Sequence, residues 1–208
     1  MSINKNKIIF VILAGGLSKR FGGGFKTFAK FNNKSIFERI ESNLKTNKID
    51  IVINTNFSDE KFINKNYLII PDLEKDFKGP LAGIYASMNW LIKKHPNKYW
   101  IFTVPSDTPF LPNNLLENFL SKYDESKQIF IARCDQKPHP VVGMWNVSLI
   151  NNLKNYLNGR NRKIMDWVIK HNHKFIDFEE NNFDYFFNIN TINDLYKAAE
   201  IEKNLLNK

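Results

Sequence analysis

The sequence predicts an α/β protein, a Rossmann-like three-layer α/β/α domain around a mainly parallel sheet. Short apolar runs alternate with amphipathic stretches along the first half of the chain. That is the pattern of parallel strands joined by helical crossovers. Four of the runs close on glycine, asparagine or aspartate, and in open sheets of this kind ligands bind beyond the carboxyl ends of the strands.

In chain order, KIIFVIL (7–13) is the first buried strand and runs into glycines. SIFERIESNLKT (35–46) has the apolar spacing of a helix, with Ser35 as its cap. IDIVINTN (49–56) and YLIIPD (67–72) read as the second and third strands, and KGPLAGIYASM (78–88) as the start of a helix with proline in its first turn. YWIFTVPSD (99–107) is the fourth strand, followed by a helix over 113–123 for which Asn113, after Pro112, is the expected cap. The second half is less regular. QIFIARC (128–134), PVVGMW (140–145) and HKFIDF (173–178) read as strands, and 147–157 and 162–171 as helices. Thr191 and Asp194 stand as a capping box, with Asp in the place of Glu, before a final helix.

The 208 residues fit a single domain, 1–208. No apolar run approaches the ~18 residues of a membrane span, so no membrane association is expected. The lysines and apolar run at the N-terminus imitate a secretory leader, but the run reads as a first buried strand, and a cytoplasmic location is expected. The one cysteine, Cys134, excludes an internal disulfide and a multi-cysteine zinc site. The net charge of +9 is scattered, without a dense basic block. It suits an anionic small substrate better than a nucleic acid, which is not an expected partner.

The segment VILAGGLSKRFGGGFK (11–26) matches neither familiar phosphate pattern. Phe25 stands where a Walker loop needs glycine before Lys26, and Thr27 stands where the dinucleotide pattern needs its third glycine. Its glycines still let backbone N–H groups approach an anion, and Arg20 and Lys26 add charge at phosphate oxygens; the alternative is a plain strand-to-helix turn. Asp107, between Pro105 and Pro109, has the posture of a Mg²⁺ ligand or of a turn cap. Asp72 is similar, with turn formation the stronger role. Gly79 and Gly83 flank a helix start and leave room for a ligand or a neighbouring strand. His139 between two prolines reads as structural or catalytic, Arg160, Arg162 and Lys163 as a solvated helix start. Asn188 and Asn190 share one side of an extended segment, where two amides can hydrogen-bond a heterocycle.

Together these residues resemble the molybdenum cofactor guanylyltransferases, the MobA group of nucleotidyltransferases. LAGG-x-S-x-R-F-G…K is shared across that superfamily, while GPLAGI, PSDTPFLP, HPVVGMW and NINTINDL narrow the match, which runs almost end to end. The resemblance implies a Rossmann-like nucleotidyltransferase whose N-terminal half binds nucleotide and whose C-terminal half binds the acceptor. It implies transfer of GMP from GTP to the terminal phosphate of molybdopterin, with Mg²⁺ as cofactor and release of pyrophosphate. Leu13, Ala14, Gly15, Gly16, Gly23, Lys26, Asn54, Asp72, Gly79, Gly83 and Asp107 would form the nucleotide site. Arg20, Lys26 and Asp107 would act in catalysis, Asp107 as metal ligand. His139, Arg162, Asn188 and Asn190 would face the acceptor, although Arg160 and Arg162 both match the family's arginine. Proteins that deliver or receive the cofactor are implied partners. Two alternatives stay open: a cytidylyltransferase or other transferase of this fold with a different acceptor, and a non-catalytic nucleotide-binding module.

Overall fold

In this computed structural model the described residues are 3–15, 21, 26–57, 62, 64–73, 79–179 and 183–206. The first strand, β1 (Ile8–Leu13), is buried along its whole length. After the small hairpin β2 (Lys30–Phe31) and β3 (Lys34–Ser35) come α1 (Ile36–Lys45), β4 (Ile51–Asn54), β5 (Leu68–Ile70), α2 (Pro80–Lys94) and β6 (Trp100–Pro105). The second half contains α3 (Leu115–Ser121), β7 (Ile129–Cys134), β8 (Lys137–Asn146), α4 (Ile150–Asn158), α5 (Ile164–Val168), β9 (His173–Phe178) and α6 (Ile192–Leu206). Seven strands form one sheet in the order β5-β4-β1-β6-β8-β7-β9. Parallel pairing joins β5, β4, β1 and β6, and also β7 and β9, while β8 runs antiparallel to both its neighbours.

The antiparallel strand has a local cause. Asp135 and Gln136 take φ of 45° and 62° between β7 and β8, the left-handed pair of a tight hairpin turn. Asn32 and Asn33, at 44° and 67°, make the corresponding turn between β2 and β3. Alternation along β1 then divides the core. Ile8, Phe10 and Ile12 pack with α1, α3 and α6, whereas Ile9, Val11 and Leu13 pack with α2, α4 and α5. This is the three-layer α/β/α arrangement expected from the sequence. No helix among the described residues is long and apolar enough to cross a membrane.

Two expected caps are present. Ser35 Oγ accepts from the Glu38 N–H at 3.2 Å while Glu38 Oε2 accepts from the Ser35 N–H at 2.7 Å. Thr191 and Asp194 do the same at α6, at 3.2 and 2.9 Å. Asn113 is not the cap of α3; Asn114 holds that position, without a side-chain bond. The reason is that Asn43 reaches over from α1 and donates its amide to the Leu111 carbonyl at 2.9 Å and toward Asn113 Oδ1 at 3.4 Å.

Two glycines set the approach of α2. Gly79, its N-cap, has φ 82° and ψ −179°, a region essentially closed to side chains. A Cβ at Gly83 would lie 2.1 Å from Asn54 Oδ1 and 2.9 Å from Leu13 Cδ2, so the helix rests directly on the ends of β4 and β1. We expect Gly83→Ala to destabilise the fold by about 1–3 kcal/mol and to displace the Asn54 side chain, as read by chemical denaturation.

On the opposite layer, Glu41 of α1 is buried and accepts from Lys45 at 2.7 Å, Lys65 at 2.6 Å and the Tyr67 hydroxyl at 2.7 Å. Burial alone would push its carboxyl up, but these three donors hold it down at about 2 instead of the ordinary 4.5. A depressed carboxyl contributes its stability in full above about pH 4.5 and loses it as the pH falls toward about 2. Glu41→Gln is therefore expected to cost about 1–3 kcal/mol at neutral pH and to flatten the acid limb of the stability profile in that window.

Candidate active site

The site grows from the exit of β1. The Ala14 N–H donates to the Asn54 carbonyl at 2.8 Å, and the Leu13 carbonyl accepts from the Ser106 N–H at 3.1 Å. The central strand is thus tied at its carboxyl end to the strand ends on both sides. A cleft of about 570 Å³ opens there. It is lined by Leu13, Gly15, Asn54, Asp72, Gly79 and Pro80 from the first half of the chain, by Lys26, Thr27 and Pro105 to Thr108, and by 137–142, Phe186, Asn188 and Asn190.

Three distant segments converge on one ammonium group. Lys26 Nζ donates to Asp107 Oδ2 at 2.6 Å and to Asn190 Oδ1 at 2.8 Å. The two charged side chains keep only 14 and 20 % of their surface, so the contact is poorly screened by solvent. Buried Thr27 Oγ1 donates to Ser106 Oγ at 3.1 Å and fixes the lysine segment to the loop after β6. On the other side, the Ile189 N–H donates to the Asp107 carbonyl at 2.9 Å. Ile189 is buried while Asn188 and Asn190 are exposed toward the cleft, as period-two alternation requires. Asn188 Oδ1 accepts from Thr108 Oγ1 at 2.7 Å.

On the facing wall, β8 leaves its pairing with β7. Ile131 pairs with Gly143, but the next residue, Ala132, pairs with His139. Pro140, Val141 and Val142 are therefore bulged, and all line the cleft, a device that re-aims side chains beside sites. The His139 ring packs on Phe186 at 4.6 Å between centroids. Its Nε2 is buried with no hydrogen-bond partner among the described residues. Burial pushes the imidazole below its ordinary value; Asp184 pulls it back up and Lys137 presses it further down.

Magnesium is accommodated by one or two carboxylates together with substrate phosphates. Asp107 fits that mode: Oδ2 is engaged by Lys26, while Oδ1 makes only a 3.5 Å contact with Thr108. No group of three or more potential ligands that could hold a metal occurs among the described residues.

Of the residues singled out in the sequence, Leu13, Gly15, Lys26, Asn54, Asp72, Gly79, Asp107, His139, Asn188 and Asn190 come together at the cleft. Gly16, Arg20 and Gly23 lie outside the described residues. Ala14 is buried and contributes its backbone. Gly83 stands behind Asn54 rather than in the lining. Arg162 is not brought to the cleft: its guanidinium donates to the carbonyls of Leu157 at 3.2 Å and Asn161 at 2.7 Å, closing the end of α4. Arg160 is exposed in a left-handed turn at φ 59°. Sequence reading missed Thr27, Ser106, Thr108, Lys137 and Phe186. The signal for two of them was alternation, since Lys137 precedes His139, and Phe186 precedes Asn188, by one strand period.

The family model for the MobA-like NTP transferase domain matches residues 10–174. A molybdenum cofactor guanylyltransferase of Nitrobacter hamburgensis is 33 % identical over 193 residues, covering 92 % of each chain. The protein of that name from Haemophilus influenzae strain 86-028NP is 32 % identical over 192 residues, covering 91 % of this chain and 96 % of its own. Among solved structures, molybdopterin-guanine dinucleotide biosynthesis protein A of Archaeoglobus fulgidus superposes with a TM-score of 0.72 at 24 % identity, over 94 % of this chain and 98 % of that one. With its strand order, its glycine-opened first loop and this extent of match, the chain belongs to the MobA-like NTP transferase family.

Proposed function

We propose that the protein transfers GMP from GTP to the terminal phosphate of molybdopterin, giving the guanine dinucleotide form of the molybdenum cofactor and pyrophosphate. The observation that carries this reading is the contact of Lys26 with Asp107 and Asn190, which sits where two anionic substrates would have to meet. The relatives that share about a third of their residues over nearly the whole chain bear the guanylyltransferase name. The N-terminal half would supply the nucleotide wall, and the C-terminal half the acceptor wall with His139, Asn188 and Asn190. A cytoplasmic setting, and exchange of the cofactor with delivering and receiving enzymes, accompany this reading.

The acceptor phosphate has its second pKa near ~6 and is largely ionised at neutral pH. It needs no general base, and the buried Nε2 of the cleft imidazole, His139, has no hydrogen-bond partner among the described residues. An acceptor oxygen attacks the α-phosphorus of GTP and pyrophosphate leaves. Lys26 sits ready to offset charge on the phosphoryl oxygens, and Asn190 holds its ammonium in place. Asp107 would hold Mg²⁺, which when bound supplies Lewis-acid charge at phosphate oxygens. The nucleophile and leaving group are both anionic, so electrostatic stabilisation is the main catalytic requirement.

Lys26→Ala and Asp107→Ala are each expected to lower pyrophosphate release ~10²–10³-fold while leaving a cooperative unfolding transition. A chelator should abolish release and added Mg²⁺ restore it. The decisive assay offers GTP, CTP, ATP and UTP in turn with a molybdopterin-bearing acceptor. Release with GTP supports the reading. Release with CTP alone keeps the chemistry and changes the base. No release from a folded protein with loaded acceptor leaves a nucleotide-binding module.

A further inference from the structure

We infer that Arg39 and Glu202 are positioning residues for the transfer reaction: their ion pair sets the lie of α6 and, through it, the place of Asn190 against the Lys26 ammonium. This rests on the function proposed above and adds to it a device outside the cleft, which neither residue lines.

Asn190 moves with α6. The Asp194 carboxylate in the first turn accepts from the Asn190 N–H at 3.0 Å and from the Thr191 N–H at 2.9 Å, which ties the asparagine to the helix start. Yet the helix itself has little apolar anchorage. Among its described side chains only Ala198 is fully buried, with Leu195 and Ala199 packed in part, while Ile192 and Tyr196 are exposed. Small side chains exclude water but offer no deep ridges to fix how a helix slides or turns.

Direction comes instead from polar contacts near the other end of the helix. The Arg39 guanidinium of α1 meets the Glu202 carboxylate as a fork, Nη1 donating to Oε1 and Nη2 to Oε2, the second at 3.0 Å. Nη2 also donates to the Phe31 carbonyl of β2 at 2.6 Å, and the guanidinium lies 3.9 Å from the centroid of the Phe31 ring. Asn32, in the hairpin turn, donates its amide to the Ala199 carbonyl at 3.1 Å and to Glu202 Oε2 at 2.9 Å. The Arg39 and Glu202 side chains keep 9 and 20 % of their surface, and a bidentate pair fixes angle as well as distance. Arg39 Nε is buried with no hydrogen-bond partner among the described residues, a cost in stability that the geometry carries.

The same arginine therefore grips both sides of the Lys26–Asn190 contact. The hairpin follows directly on the lysine segment, whose Lys26 carbonyl accepts from the Ala29 N–H at 2.9 Å before β2 begins. From its first turn to Glu202 the helix spans about 15 Å, so a tilt of about 5° moves its far end by roughly 1 Å. Misplacement of that size can cost about a hundredfold in rate.

The test is steady-state pyrophosphate release with GTP, Mg²⁺ and a molybdopterin-bearing acceptor. Glu202→Gln is expected to lower kcat about tenfold and to leave KM for GTP within about threefold. Arg39→Met combined with Glu202→Leu replaces the fork by an apolar contact. Such replacements commonly preserve stability, so its thermal midpoint should stay close to wild type while kcat remains about tenfold low. In an Asn190→Ala background, Glu202→Gln should lower kcat by less than about twofold more, because the residue through which it acts is gone. Wild-type kcat in the apolar pair would show that α6 needs only to be held down, and would overturn the inference. So would a full tenfold loss in the Asn190→Ala background. Either result leaves the proposed function standing, whereas a wild-type protein that releases no pyrophosphate from GTP would overturn both.

Discussion

The first strand has no face or edge left for solvent. It is buried along its length, paired on both sides, and its last carbonyl and the following N–H are taken by the loop after β6 and the end of β4. A buried backbone must satisfy its polar groups within the fold, so the exits of three strands are locked into one plane. Leu13, Asn54 and the turn from Pro105 to Thr108, all in the cleft lining, sit at that plane. Asn54 and Asp107 are close to the first loop because the sheet has no other way to end its central strand.

The cleft is also preorganised electrostatically. Lys26 and Asp107 form a mostly desolvated pair beside Asn190, and a group already oriented need not reorganise when charge develops nearby. Such a pair is costly to desolvate and gives little net stability, which is consistent with a role in chemistry more than in folding. The facing wall follows another logic. There the bulge in β8, two prolines and the His139–Phe186 contact form a shaped surface whose polar groups are amides, the Lys137 ammonium and an imidazole pushed below its ordinary value. That contrast suits a charged ligand on one side and a flat heterocycle on the other.

Much of this was legible in the sequence, because the strands are short, strongly apolar and bounded by turn residues. HKFIDF proved to be a strand over the very residues read, and both capping boxes were visible as spacings. What was missed has common causes. The turns at Asn32–Asn33 and Asp135–Gln136 lack the glycine that normally marks a left-handed pair. Asn113 and Asn114 offer the same chemistry, and a contact from Asn43, remote in sequence, decides between them. Arg162 was given an acceptor role by the family resemblance alone, and it does not line the cleft; two of its hydrogen bonds run to the carbonyls of Leu157 and Asn161. In the site, Lys26, Asp72, Asp107 and the glycines were singled out, while Lys137, Thr27, Ser106 and Thr108 were not. Hydroxyls that tie loops together leave no periodic trace.

The contacts of Lys26 bridge sequence separations of 81 and 164 residues. Closing such loops costs more chain entropy than pairing neighbours, whereas the β7–β8 hairpin closes through two residues. The apolar wall can therefore take shape early, from local sequence. The ammonium of Lys26 meets Asn190 only once the segment before α6 has docked. On a ribosome the segment that carries Asn190 emerges after all seven strands of the sheet, so the growing chain can hold that sheet before Lys26 meets Asn190. Order of assembly thus keeps the reactive geometry until last.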